Sequence, residues 1–92
     1  MQNVNFVVQR SMKNRYTLKT FGITRDILGG REVKIEMNGQ SVADLRKHLN
    51  TSYPKLEGLR SLFIAVNQQY AEDDQQLNAT DEIALIPPVS GG

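Results

Sequence analysis

Between Ser41 and Pro54 the apolar residues fall at helical spacing. Val42, Leu45, Leu49 and Tyr53 stand at i, i+3, i+7 and i+11, the apolar stripe of an amphipathic helix over residues 42–53. Ser41 followed by Asp44 resembles a capping box, in which the serine hydroxyl takes an orphan backbone N–H. The acid also suits the positive end of the helix dipole. Asp44, Lys47 and Thr51 lie on the wet side, and Pro54 ends the helix because it disfavours the α conformation of Tyr53. Such a helix must cover its stripe with another layer.

The flanking segments supply that layer. Residues 16–21 alternate, with Tyr16, Leu18 and Thr20 on one face and Thr17, Lys19 and Phe21 on the other, as a strand requires. Residues 22–31 read as a loop that carries Ile23, Ile27 and Leu28 and closes at Gly29-Gly30. Residues 32–37 alternate again, with Val33, Ile35 and Met37 on one face, which suggests an antiparallel hairpin. After the helix, residues 62–66 form a continuous apolar run, read as a central strand buried on both faces. Asn67-Gln68-Gln69 turns it, and residues 70–77 are a loop or short strand. Residues 82–86 are the last strand, with Ile83 and Leu85 facing one way and Glu82, Ala84 and Ile86 the other. The order implies an α+β fold in which one mixed sheet of four or five strands carries one main helix across it. That is the ubiquitin-like β-grasp architecture, spanning residues 16–86 with an extended tail at 87–92.

Residues 1–15 differ in composition. Arg10, Lys13 and Arg15 hold three of the eleven basic residues with no acid among them, which leaves eight basic against ten acidic residues in the rest. An N-terminal extension outside the fold is the default for a terminus. Val4, Phe6 and Val8 alternate, so an extra edge strand is the alternative; an organelle-targeting peptide would be short.

Ordinary active-site chemistry has little material here. Cysteine is absent and His48 is the single histidine, which removes disulfides, Cys-based zinc sites and a thiol nucleophile. No nucleophile elbow or Gly-rich phosphate loop occurs. His48 reads as a solvated helix position, and Glu72-Asp73-Asp74 as a solvated loop rather than a metal site. A net charge of +1 argues against nucleic acid as the main partner. No apolar run approaches the ~18 residues of a membrane span and no signal-peptide core is present, so a cytoplasmic location is expected.

The C-terminus is the informative feature. Pro87-Pro88-Val89-Ser90-Gly91-Gly92 begins with two residues that have a fixed φ and no backbone donor, which stop the strand and extend the chain. Six residues reach at most about 20 Å, far enough to enter another protein's active site. The terminal glycines, without a Cβ, fit a narrow channel. A glycine pair at a fixed place arises by chance in about one chain in 200, so its setting matters more than the pair.

Residues 81–92, Asp-Glu-Ile-Ala-Leu-Ile-Pro-Pro-Val-Ser-Gly-Gly, resemble the C-terminal signature of the small subunits of molybdopterin synthase, the MoaD-like sulfur carriers. Ala65-Val66-Asn67 resembles that family's central strand and turn, and Arg25-Asp26 its loop after the first strand. The likeness runs over residues 16–92. Thr80 stands where the family usually has a turn glycine, and residues 1–15 have no counterpart in its short members.

The resemblance implies a sulfur-transfer cycle. A ubiquitin-activating-type enzyme, using ATP, adenylates Gly92; a sulfur donor then makes a C-terminal thiocarboxylate, with Gly91 beside it. The thiocarboxylate gives its sulfur to the pterin precursor in the large synthase subunit. The chain is then half of a sulfurtransferase, with no complete active site and no stably bound cofactor or metal. The resemblance also places partner contacts at Phe21, Tyr70 and Ile86, a charged contact at Arg25, and tail contacts at Pro87, Pro88, Val89 and Ser90. Sheet alternation points the same way, because Phe21 and Ile86 are apolar residues on otherwise polar faces. A thiamine-type sulfur carrier, a protein modifier ending in the same glycines, and a ubiquitin-like interaction module are the alternatives.

Overall fold

The computed structural model of the chain describes residues 13–59 and 61–88. Five strands, β1 (Lys13–Thr20), β2 (Glu32–Asn38), β3 (Phe63–Val66), β4 (Gln69–Tyr70) and β5 (Ile83–Ile86), form one sheet in the order β2-β1-β5-β3-β4. β1 is antiparallel to β2 and parallel to β5, while β3 runs antiparallel to both β5 and β4. Two helices, α1 (Ile23–Leu28) and α2 (Val42–Ser52), and a 3₁₀ helix (Pro54–Gly58) complete the described elements.

The alternation sorts the faces as expected. Tyr16, Leu18, Ile35, Met37, Ile83 and Leu85 point inward, where Val42, Leu45 and Leu49 of α2 meet them in one core. Leu18, Leu45, Leu49, Ile83 and Leu85 are wholly buried; a buried leucine of this kind contributes roughly 2–5 kcal/mol over alanine. The capping box forms: the Asp44 N–H donates to Ser41 Oγ at 3.1 Å, and the Ser41 N–H donates to Asp44 Oδ2 at 3.3 Å. The backbone hydrogen bond from Ser41, then its side chain, hold the Asp44 carboxyl below the usual range.

Four local expectations are corrected. Residues 22–31 hold a helix, α1, rather than only a loop. Its inward residues Thr24 and Leu28 are four apart, a spacing too brief to register as a period. Gly29 closes it at φ 89°, with its N–H on the Arg25 carbonyl. β1 starts at Lys13 instead of residue 16, because Lys13, Asn14 and Arg15 pair with Asn38, Met37 and Glu36. Asn14 also donates to the Gly39 carbonyl and Arg15 pairs with Glu36 at 2.6 Å. No apolar residue marks that extension, and the expected boundary after Arg15 falls within the strand; residues 1–12 lie outside the described residues.

The third correction concerns the sheet centre. β5 holds it, with β3 an inner strand between β5 and β4. Ile64, Ala65 and Val66 are buried as expected, and Phe63, 46% exposed, is where the face away from α2 opens. The fourth concerns the helix end: α2 stops at Ser52, and Tyr53 is its cap. Residues Asn67 and Gln68, at φ 53° and 71°, make the tight turn from Val66 to Gln69 that suits a two-residue hairpin.

Candidate functional site

The uncovered face of the sheet carries the site. Register places Ile86 opposite Phe63, and Ala84 opposite Ala65 on one side and Lys19 on the other. Ala65 in turn faces Tyr70. Thr20 is level with Leu85, so Phe21 follows at the level of Ile86. The result is a shallow groove of about 340 Å³ lined by Phe21, Ala65, Gln68, Tyr70, Glu82, Ala84 and Ile86. Small residues at 65 and 84 form its floor, and aromatic rings form its walls.

The walls are conspicuously open to solvent. Phe21 is 45% exposed and Tyr70 is 70% exposed. Phe63 stacks on Tyr70 with ring centroids 5.2 Å apart at 27°. Offset stacking holds two such rings in place, which presents a rigid apolar surface. On the rim Lys19 and Glu82 pair at 3.0 Å, both about half exposed; a pair this wet adds little to stability and can be exchanged for a partner's charges.

β5 ends at Ile86 and passes directly into Pro87 and Pro88, both half-buried. Pro87 packs against Gly22, whose backbone at φ 56° and ψ −131° lies in a region open mainly to glycine. A Cβ there would stand 3.3 Å from Pro87 Cγ. Thus the turn after β1 and the root of the tail touch each other beside the groove.

Phe21, Tyr70 and Ile86 therefore come together as the sequence suggests. Arg25 stands on α1, exposed, where its carbonyl accepts from both Gly29 and Gly30. Val89, Ser90, Gly91 and Gly92 lie outside the described residues. Phe63 was missing from the sequence-based set, because the unbroken apolar run 62–66 hides which residues face outward. Its cross-strand match with Ile86 is the signal, and only the register supplies it.

Two larger hollows lie elsewhere. One, about 450 Å³, is lined by charged residues of β1 and β2 around Ile35. The other, about 640 Å³, runs between α2 and the 3₁₀ helix, where Arg46 is already tied to Asp73 and to the Leu62 carbonyl. The second reaches Phe63, the cross-strand neighbour of Ile86, from the far side of β3. Among the described residues no cluster of three or more His, Cys, Asp or Glu side chains is placed to hold a metal, and no helix is long and apolar enough to cross a membrane.

Residues 18–92 match the ThiS family. The molybdopterin synthase sulfur carrier subunit of Dictyostelium discoideum is 34% identical over 86 residues, covering 88% of this chain and 100% of that one. Its human namesake is 39% identical over 77 residues, covering 78% and 88%. Among solved structures, the small archaeal modifier protein 1 of Haloferax volcanii superposes with a TM-score of 0.69 at 26% identity, over 83% of this chain and 99% of that one. A complex of subunits 1 and 2 of the molybdopterin-converting factor from Helicobacter pylori matches with a TM-score of 0.57 at 26% identity, over 85% and 99%.

Proposed function

This chain belongs to the ThiS family, alongside the molybdopterin synthase sulfur carrier subunits, and we propose that it carries sulfur on the carboxyl group of Gly92. An ATP-using, ubiquitin-activating-type enzyme joins that carboxylate to AMP with loss of pyrophosphate, which turns a poor electrophile into a mixed anhydride. Sulfide attacks the acyl carbon, AMP leaves, and a thiocarboxylate remains. The chain then docks on a large synthase subunit, whose active site holds the pterin precursor. The sulfur passes to the pterin, water takes its place on the Gly92 acyl carbon to restore the carboxylate, and two loaded chains in turn supply the two sulfurs of the dithiolene that holds molybdenum. The chain supplies no catalytic side chain and no bound cofactor. The cycle is proposed to run in the cytoplasm.

One observation carries this reading: the central strand ends beside an open aromatic groove and gives way at once to Pro87-Pro88. Docking at the groove and delivery by the tail are thus joined at Ile86. Residues 87–92, once extended, span about 20 Å, the depth of a buried active site. Arg25 on α1 adds a charged contact to the large subunit, and Pro87, Pro88, Val89 and Ser90 are its tail contacts. The two-subunit composition of the Helicobacter pylori complex supports a large subunit as the occupant of the groove.

The test is reconstituted transfer to the pterin precursor, using the chain as it is, the chain lacking Gly92, and the chain with one residue added after it. Both altered chains should melt with the unaltered one, because the tail adds little core burial. Both should fail to form dithiolene, since the activated carbon is missing or displaced. Near-normal transfer by an extended chain that stays unprocessed contradicts the mechanism.

A further inference from the structure

Thr20 and Thr24 are the buried polar side chains among the described residues. Thr20 has an evident job, donating its hydroxyl to the Gly30 carbonyl and so closing α1 onto the sheet. Thr24 is different. It is wholly buried, and its hydroxyl makes both of its hydrogen bonds to the main chain of one residue, Phe21. It accepts from the Phe21 N–H at 2.8 Å and donates to the Phe21 carbonyl at 2.6 Å. The Thr24 N–H reaches the same carbonyl at 3.1 Å, and the Arg25 N–H reaches Gly22 at 3.0 Å.

Valine would fill this space as well, so the hydroxyl is present for its bonds and not its volume. What those bonds fix is a residue just beyond the last β1–β5 pair, whose ring forms a wall of the groove. The next residue, Gly22, has the backbone freedom of glycine and lies against Pro87. Without the hydroxyl, the Phe21 N–H loses its acceptor and the Thr24 N–H is left to hold the Phe21 carbonyl.

We infer that the Thr24 hydroxyl is a positioning group for docking: it locks the Phe21 main chain so that the ring is presented in the groove beside the root of the tail. The inference rests on the reading that this groove seats the large synthase subunit. A main chain already fixed before contact spares the complex the ordering of that turn, which raises affinity without adding a contact. Removing the hydroxyl leaves the Phe21 N–H without its acceptor, which costs stability at the turn that carries Phe21.

The experiment compares Thr24→Val with Thr24→Ser, each alone and combined with Phe21→Ala. Amide hydrogen exchange of the free chain reads the clamp, and equilibrium binding to the large synthase subunit reads docking. Thr24→Val should speed exchange at the Phe21 amide, lower the melting temperature because a part-buried N–H loses its acceptor, and weaken binding roughly tenfold at a temperature where the chain is still fully folded. Thr24→Ser keeps the hydroxyl and should stay within about twofold of the unaltered chain. In the Phe21→Ala background, Thr24→Val should cost less than about twofold more, since the ring it positions is gone. Full binding by Thr24→Val, no rescue by serine, or an equal loss in both backgrounds overturns the inference. If Phe21→Ala itself binds normally, the groove is not the docking site and the inference falls with it. If Phe21→Ala binds weakly while Thr24→Val is inert, the clamp alone is refuted and the groove stands.

Discussion

Ile86 stands where three things meet: the end of β5, the level of Phe63 across the sheet, and the first proline of the tail. Replacing it with glutamate puts a charge in the middle of the groove. Binding to the large subunit and to the activating enzyme should both weaken, by about 2 kcal/mol or more if Ile86 is a central anchor. The isolated domain should lose no more than about 1 kcal/mol, as expected for a half-buried position outside the core. Titration of each partner together with thermal melting decides it: unchanged affinity for both, or a collapsed melting temperature, removes Ile86 from the interface. Three groove residues were legible in the sequence. Phe21 and Ile86 betray themselves as apolar side chains on polar strand faces, and Tyr70 follows from the family resemblance. Phe63 does not, because its neighbours Leu62 and Ile64 are equally apolar and outward orientation depends on which strand lies beside it.

At the scale of elements, a period is readable only when it lasts long enough. The stripe Val42, Leu45, Leu49 and the box Ser41–Asp44 identify α2 nearly to the residue, while α1, six residues long, shows less than two turns of pattern. β1 was readable from Tyr16 onward and silent over its polar start, where the pairing with β2 decides. The capping box makes a claim about pH. Hydrogen bonds from Ser41 lower the Asp44 pKa in the folded chain, below the ordinary aspartate value of about 3.9. Its stabilisation is thus complete above that ordinary value and is lost as pH falls through the lower, folded one. Asp44→Ala should lower the melting temperature at neutral pH, and the gap to the unaltered chain should close in acid. Melting curves across the acid range check this; a gap that persists undiminished at low pH means the carboxylate's charge plays no part.

Across the whole molecule, the sheet order accomplishes what no single strand pattern reveals. Placing β5 in the centre, parallel to β1, brings the end of the last strand to the middle of the open face. The tail therefore leaves from among Phe21, Phe63 and Tyr70, not from an edge. Local patterns list the strands but not their neighbours, so the sequence reads β3 as a central strand, and only the register shows it to be an inner strand beside the middle one, β5. Among the described residues one face of the sheet carries no helix, and that face is what a partner can use. The sequence has no cysteine and the described residues hold no metal cluster; on the proposed function the chain brings a surface and a carboxylate, and other proteins bring the chemistry.

Mass spectrometry after incubation with the activating enzyme, ATP and sulfide tests that division of labour most directly. The chain should gain the mass of one sulfur in place of one oxygen, only when ATP is present, and fragmentation should place the change at Gly92. Sulfur found on any other residue, or a Gly92 carboxylate that stays unmodified in a chain still able to support dithiolene formation, contradicts the account.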